Sequence, residues 1–195
     1  ENFWANTKAP DGIGLQDHYA NMWAHIVKSF ENSKALIGYD FINEPFPGES
    51  SLRIFGTLLG AYAEITQQDI SPEELMASFT DVEQKNKLLR DIDNVDLYTA
   101  MAKSAMPLVS EFDKGALASF YKKMTKAVRE TSDKGIVMME NSYFSNMGIE
   151  CNIPLITDAH GIEEKNQAYA PHGYDLVVDT PEVIHASNNR INTIL

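Results

Sequence analysis

A chain of 195 residues with 44% hydrophobic and 10% aromatic side chains can bury a core, which excludes a disordered or fibrous polymer. A formal net charge of −12 argues against a nucleic-acid partner, because phosphate binding needs clustered Lys and Arg. One cysteine, Cys151, excludes an internal disulfide framework and reads as a small apolar side chain.

From Leu15 onward, Leu15, Tyr19, Met22, Trp23, Ile26, Val27 and Phe30 recur three or four residues apart, which predicts one stripe of an amphipathic helix. The run ALIGYDFIN (35–43) is apolar on both parities and is bounded by Pro45 and Pro47, as expected of a strand buried on both faces of a parallel sheet. Residues 48–112 are too many for a simple loop. Within them SPEELMASF (71–79) carries a helix-start signature, and DVEQKNKLLRDI (81–92) and VDLYTAMAKSAM (95–106) have helical spacing, so a helical insertion is expected.

The helix-then-strand pattern returns at roughly 113–133, where Leu117, Phe120, Tyr121, Met124, Ala127 and Val128 form a stripe and GIVMMEN (135–141) follows through a glycine. A third apolar run, 167–178, is interrupted by Pro171 and Gly173 and reads as a strand opening into a loop. Alternating helices and buried strands predict a parallel α/β fold, either open and doubly wound or closed as a (β/α)₈ barrel. No strand-GxGxxG-helix, GxxxxGK[ST] or Gly-x-Ser-x-Gly element is present, which lowers the odds of a nucleotide site or a serine hydrolase. No apolar stretch reaches the ~18 residues that span a bilayer, and the first residues lack a signal-peptide pattern.

Asn43 and Glu44 fall where the first predicted strand gives way to a loop, the place where parallel α/β folds build their sites. A carboxyl there, shielded by Phe41 and Phe46, would have its pKa raised by desolvation and could carry a proton to a leaving oxygen. The competing reading is a plain Asn-Glu-Pro turn. His172 and Tyr174, two residues apart, share one face of an extended segment. Glu140 ends the run IVMM and reads as a sugar-contacting subsite residue, with a solvated or ion-paired Glu as the alternative. Asp40 shares the parity of Glu44 but stands roughly 13 Å earlier along a strand, so a structural role is expected of it. His18, His25 and the Asp158/His160 pair lack the three or four converging groups that a metal requires, so they read as surface or capping residues.

GYDFINEP resembles the fourth-strand signature of glycoside hydrolase family 5, and His172-Gly-Tyr174 resembles the His-x-Tyr of that family's sixth strand, with GIVMMEN between them as a fifth. Within the family, GLQDHYANMWAHIVKSF, NEPFPG and YAPHGYDL look most like the endoglycoceramidase branch, whose members detach the glycan of a glycosphingolipid from ceramide. The resemblance implies a (β/α)₈ TIM barrel, present as an incomplete central portion of about strand 4 to strand 6. Residues 1–195 would then be one truncated barrel domain, with 48–112 inserted after the fourth strand.

It further implies a retaining cleavage of a β-glycosidic bond with Glu44 as general acid/base and Asn43 on the substrate 2-hydroxyl. His172 and Tyr174 would orient the carboxylates, and Glu140 would serve a subsite. Retention requires two carboxyl groups about 5–5.5 Å apart, and the family's nucleophilic Glu, from the seventh strand, is expected beyond Leu195. The second-strand Arg, third-strand His and eighth-strand Trp are also absent, so half a catalytic site is expected, in a fragment of a longer, secreted or cell-surface parent. No metal or organic cofactor is implied. The implied partner is a β-linked oligosaccharide or glycolipid, with room for contact with a lipid micelle or membrane surface and no obligate protein partner. A glucanase or mannanase acting on soluble polysaccharide, and a non-catalytic sugar- or lipid-binding module, are the alternatives.

Overall fold

A computed structural model describes residues 1–195 except Phe79, Tyr174, Asp179 and Leu195, and only the backbone of Pro72, Ser78, Glu182 and Thr193. The elements run α1 (Leu15–Ser29), β1 (Gly38–Asp40), α2 (Ser50–Ile65), α3 (Pro72–Ser78), α4 (Val82–Asp91), α5 (Val95–Phe112), a π-helical turn (Asp113–Leu117), α6 (Ala118–Arg129), β2 (Ile136–Met139), β3 (Gln167–Tyr169), a 3₁₀ turn (Pro181–His185) and α7 (Asn188–Ile194). They divide into two compact units. The first holds Glu1–Pro47, Glu111–Ser142 and Asn152–Pro171, and the second holds Gly48–Ser110, Tyr143–Cys151 and His172–Leu195.

In the first unit, α1 begins at a glycine that offers no side-chain cap. Asn6 supplies one from outside, its Oδ1 accepting from the Gln16 N–H at 2.8 Å. The three strands are parallel, in the order β1-β2-β3, with Tyr39 opposite Val137 and Met138 opposite Ala168. Helix α1 packs along α6, and Trp23 of α1 meets the rings of Tyr39 and Phe41 edge-on. Val27, Phe41, Phe120, Tyr121, Met124, Val128, Val137 and Met139 form the buried layer around this contact. Clustered rings of Phe3, Trp4, Tyr19 and Phe120 close its other end.

Two glycines are dictated by close approach. A Cβ on Gly38 would lie 2.3 Å from the Ile136 carbonyl oxygen, so only glycine lets β1 reach β2 there. Gly135 adopts φ +80° at the end of the α6-to-β2 connection. Arg129 closes that connection, donating to the carbonyls of Lys134 and Gly135 and to both carboxylate oxygens of Glu164.

Sequence periodicity predicts strands buried on both faces, but β2 alternates between half-buried and buried positions and Asp40 of β1 is exposed. The reason is that Tyr39, Phe41, Val137 and Met139 turn toward the helices, whereas Asp40 emerges on the opposite face of the sheet.

The second unit gathers α2, α3, α4, most of α5, α7 and two later segments around its own apolar cluster, which includes Ile54, Leu58, Tyr62, Leu88, Ile92, Met101, Val109, Phe144, Ile149 and Val177. The helix-start signature at 71–74 is a capping box. The Ser71 Oγ accepts from the Glu74 N–H at 3.1 Å, and the Glu74 carboxylate accepts from the Ser71 N–H at 2.9 Å. Asp81 caps α4 with its own side chain, accepting from the N–H groups of Glu83 and Gln84. The unit is pinned by a buried ion pair. Arg190 Nε and Nη2 face the two oxygens of Asp175 at 3.1 and 3.2 Å, and Nη1 and Nη2 donate to the carbonyls of Leu89 and His185 at 2.5 Å each.

Candidate functional site

Beyond β1 the backbone of Phe41 accepts the Tyr19 hydroxyl at 2.6 Å and its ring is buried against Trp23, so the strand is anchored just before it bends. Asn43 is exposed and Glu44 half-buried, while Pro45 and Pro47 are buried and fix the chain on the far side. The Trp4 indole N–H donates to the Phe46 carbonyl at 2.8 Å, yet the Phe46 ring is 44% exposed, so of the two expected neighbours only Phe41 lies in the core.

Glu44 has φ +46°, in the left-handed region. For a residue with a Cβ this costs about 1–2 kcal/mol, so something must hold it. That something is Glu140. Glu140 is 4% exposed, and its carboxylate accepts from the Glu44 N–H at 2.5 Å, joining residues 96 positions apart. A hydrogen bond contributes about 0.5–1.5 kcal/mol net, the same order as the strain. Glu140 is itself fixed, because the buried Tyr121 hydroxyl donates to its backbone carbonyl at 2.9 Å.

Of the residues singled out from sequence, the structure thus brings Glu44 and Glu140 together, with Asn43 beside them. His172 belongs to the second unit, is half-buried, and donates its backbone N–H to Asn146 Oδ1 at 3.3 Å. Tyr174 lies outside the described residues. His18 faces Asp11 at 2.9 Å on an exposed helix flank, and Asp158 accepts from the N–H groups of His160 and Ile162 within its own turn. Among the described residues no three His, Cys, Asp or Glu side chains converge as a metal would require.

Sequence reasoning missed Asp113. It sits on the π-helical turn, fully buried, with Oδ2 accepting from the Asn152 N–H at 2.8 Å and Oδ1 without a hydrogen-bond partner among the described residues. Burial pushes its carboxyl up to about 6, against the lowering pull of hydrogen bonds from Asn152 and Ser142 and the charge of Lys114. Its only sequence-level signal is a charged residue at the head of an apolar helix stripe, which reads as a helix start.

The second unit also encloses a cavity of about 320 Å³, lined chiefly by apolar side chains such as Phe55, Leu59, Leu88, Met101, Ile149 and Leu176.

A half-buried glutamate in a bent loop past a parallel strand, its own peptide N–H held by a second glutamate, is an arrangement that can present a proton to a bound group. The chain resembles Endo-glycoceramidase II from Rhodococcus sp. in its ganglioside GM3 complex, with a TM-score of 0.56 and 21% identity, covering 99% of this chain and 31% of that one. The same enzyme in its cellobiose-like isofagomine complex matches with a TM-score of 0.54 and 23% identity, over 98% of this chain and 29% of that one. A curated relative, "Endoglycoceramidase" from Cyanea nozakii, is 41% identical over 49 residues, 25% of this chain and 9% of its own length. The chain therefore spans about 31% of the length of the solved structure it matches. Its α/β architecture with a small parallel sheet is a portion of a TIM barrel. The family described as "Cellulase (glycosyl hydrolase family 5)" matches residues 2–192, nearly the whole sequence, and the chain belongs to that family.

Proposed function

We propose that this chain carries the acid/base half of a retaining glycoside hydrolase that cleaves the β-glycosidic bond between a glycan and a lipid. The sheet is read as strands four to six of the barrel, with 48–112 inserted after the first of them. The observation that carries the reading is Glu44, held in a left-handed conformation past β1 by the carboxylate of Glu140, in a family of glycosidases. The resemblance to endoglycoceramidases favours a glycolipid substrate over a soluble polysaccharide.

In this reading protonated Glu44 gives its proton to the glycosidic oxygen as the carbon–oxygen bond breaks. A second carboxylate, supplied by the whole protein from outside these residues, attacks the anomeric carbon. Glu44, now ionised, takes a proton from the water that releases the glycan, which restores both groups. Asn43, uncharged and with both donors and an acceptor, holds the substrate 2-hydroxyl without drawing on that proton. The resemblance of His172-Gly-Tyr174 to the family's sixth-strand motif is what assigns these two residues to orienting the carboxylates.

The test is Glu44→Gln in the full-length enzyme, assayed on a ganglioside and on an activated aryl glycoside. Loss of general-acid help should lower turnover of the poor leaving group by about 100-fold or more while sparing the first step on the aryl substrate. Equal loss on both would refute the acid role, and unchanged turnover of both would leave a binding module. Exposed Phe46, three residues after Asn43, supports the soluble-polysaccharide reading as a stacking surface for a sugar ring. Faster turnover of a β-glucan or β-mannan than of a ganglioside would decide for it.

A further inference from the structure

Glu140 stands at the end of β2 and is 4% exposed, yet its carboxylate oxygen is directed at a backbone N–H, that of Glu44. A buried carboxylate accepting from a main-chain donor sets conformation, and the donor here belongs to the one non-glycine residue with positive φ in this loop. From a left-handed backbone the Cα–Cβ bond of Glu44 leaves the chain in a different direction than it would from an extended one. The bond to Glu140 therefore decides where the acid's carboxyl points. The support behind Glu140 is equally buried: Tyr121, fully enclosed on α6, donates to the Glu140 carbonyl, and Ser142, two residues further on, hydrogen-bonds the enclosed Asp113.

We propose that Glu140 is a positioning residue for the acid/base, acting through the Glu44 peptide. It aims the Glu44 carboxyl at the leaving oxygen and does not act as a sugar contact. The inference rests on the acid/base reading of Glu44. It predicts that removing the Glu140 acceptor copies the leaving-group signature of losing Glu44 itself, because the proton is still present but misdirected.

The experiment compares Glu140→Ala, Glu140→Asp, Glu140→Gln, Glu44→Gln and the Glu44→Gln/Glu140→Ala double variant in the full-length enzyme. Substrates are a ganglioside and a dinitrophenyl glycoside. Glu140→Ala should lower kcat on the ganglioside by about 100-fold and on the aryl glycoside by under about fivefold, with KM moved little. Glu140→Asp, one methylene too short to reach, should behave the same way and keeps the test alive if the alanine variant misfolds. Glu140→Gln still offers an amide oxygen to the N–H and should stay within about tenfold of the parent. The double variant should be no slower than Glu44→Gln within about twofold, since both changes remove one function.

A rise in KM on both substrates would overturn the positioning role in favour of a sugar contact. Multiplied losses in the double variant would overturn it as well. Amide hydrogen exchange separates this inference from the function beneath it. The Glu44 N–H should exchange at least about tenfold faster in Glu140→Ala than in the parent, whatever the substrate proves to be. Unchanged exchange would sink the clamp alone, while absence of leaving-group dependence in Glu44→Gln would sink the acid/base reading.

Discussion

Asp113 makes the pH dependence of folding predictable. Its carboxyl is enclosed on the π-helical turn, and burial raises it from 3.8 to about 6 despite the help of Asn152 and Ser142. Between those two values the folded protein holds one proton more than the unfolded chain, so this group's stabilising contribution is complete below the lower value and is lost as pH rises through the upper one. At ~1.4 kcal/mol per pH unit the loss adds up to about 3 kcal/mol by pH 7. Asp113→Asn replaces the protonated acid with a neutral group of the same shape and should remove this slope. The assay is chemical denaturation followed by circular dichroism at pH 4, 5, 6 and 7. The quantity to read is the difference in unfolding free energy between parent and variant, which cancels the other carboxylates. The variant should gain steadily on the parent between pH 4 and pH 6 and then hold its lead. Parallel curves across that interval, or a parent that gains on the variant, would refute the argument from burial.

The Asp175 and Arg190 side chains are 1% and 2% exposed, so Arg190→Ala should cost about 3–5 kcal/mol by leaving a buried carboxylate without its partner. Asp175→Leu combined with Arg190→Met should recover most of that loss in urea denaturation, and a single-variant loss under about 1 kcal/mol would contradict the buried pairing. Gly38→Ala should destabilise by about 1–3 kcal/mol, because the obstacle to its Cβ is the Ile136 backbone carbonyl and not a movable side chain. Wild-type thermal stability in that variant would mean that β1 and β2 do not approach as described.

Local signals in the sequence expressed what depends on neighbours along the chain. The stripe from Leu15 became α1, the Ser71-to-Glu74 signature became a capping box, and the runs around Tyr39, Val137 and Ala168 became parallel strands. The Asn-Glu-Pro motif led to the right family and to a glutamate past a strand. Helix α2 was harder to read because Glu49 leads into it without a side-chain cap. The π turn was invisible because Asp113–Leu117 has the composition of an ordinary first helical turn, and its widened spacing only appears when the backbone is built. Glu140 was legible as a strand-end carboxylate but not as the acceptor for Glu44, because a bond across 96 residues leaves no periodic trace. For the same reason the grouping of Gly48–Ser110 with Tyr143–Cys151 and His172–Leu195 could not be read from the insertion alone.

Among the described residues β2 is paired on both sides, whereas β1 and β3 are each paired on one side only. An outer strand with no ladder partner offers main-chain groups to whatever extended segment drifts past, another molecule's included. Pairing between copies of the chain along these outer strands would be opposed mainly by the mutual repulsion that twelve excess negative charges provide. Concentrated salt screens that repulsion. Dilute, low-salt buffer is thus the condition in which the chain should stay in solution longest.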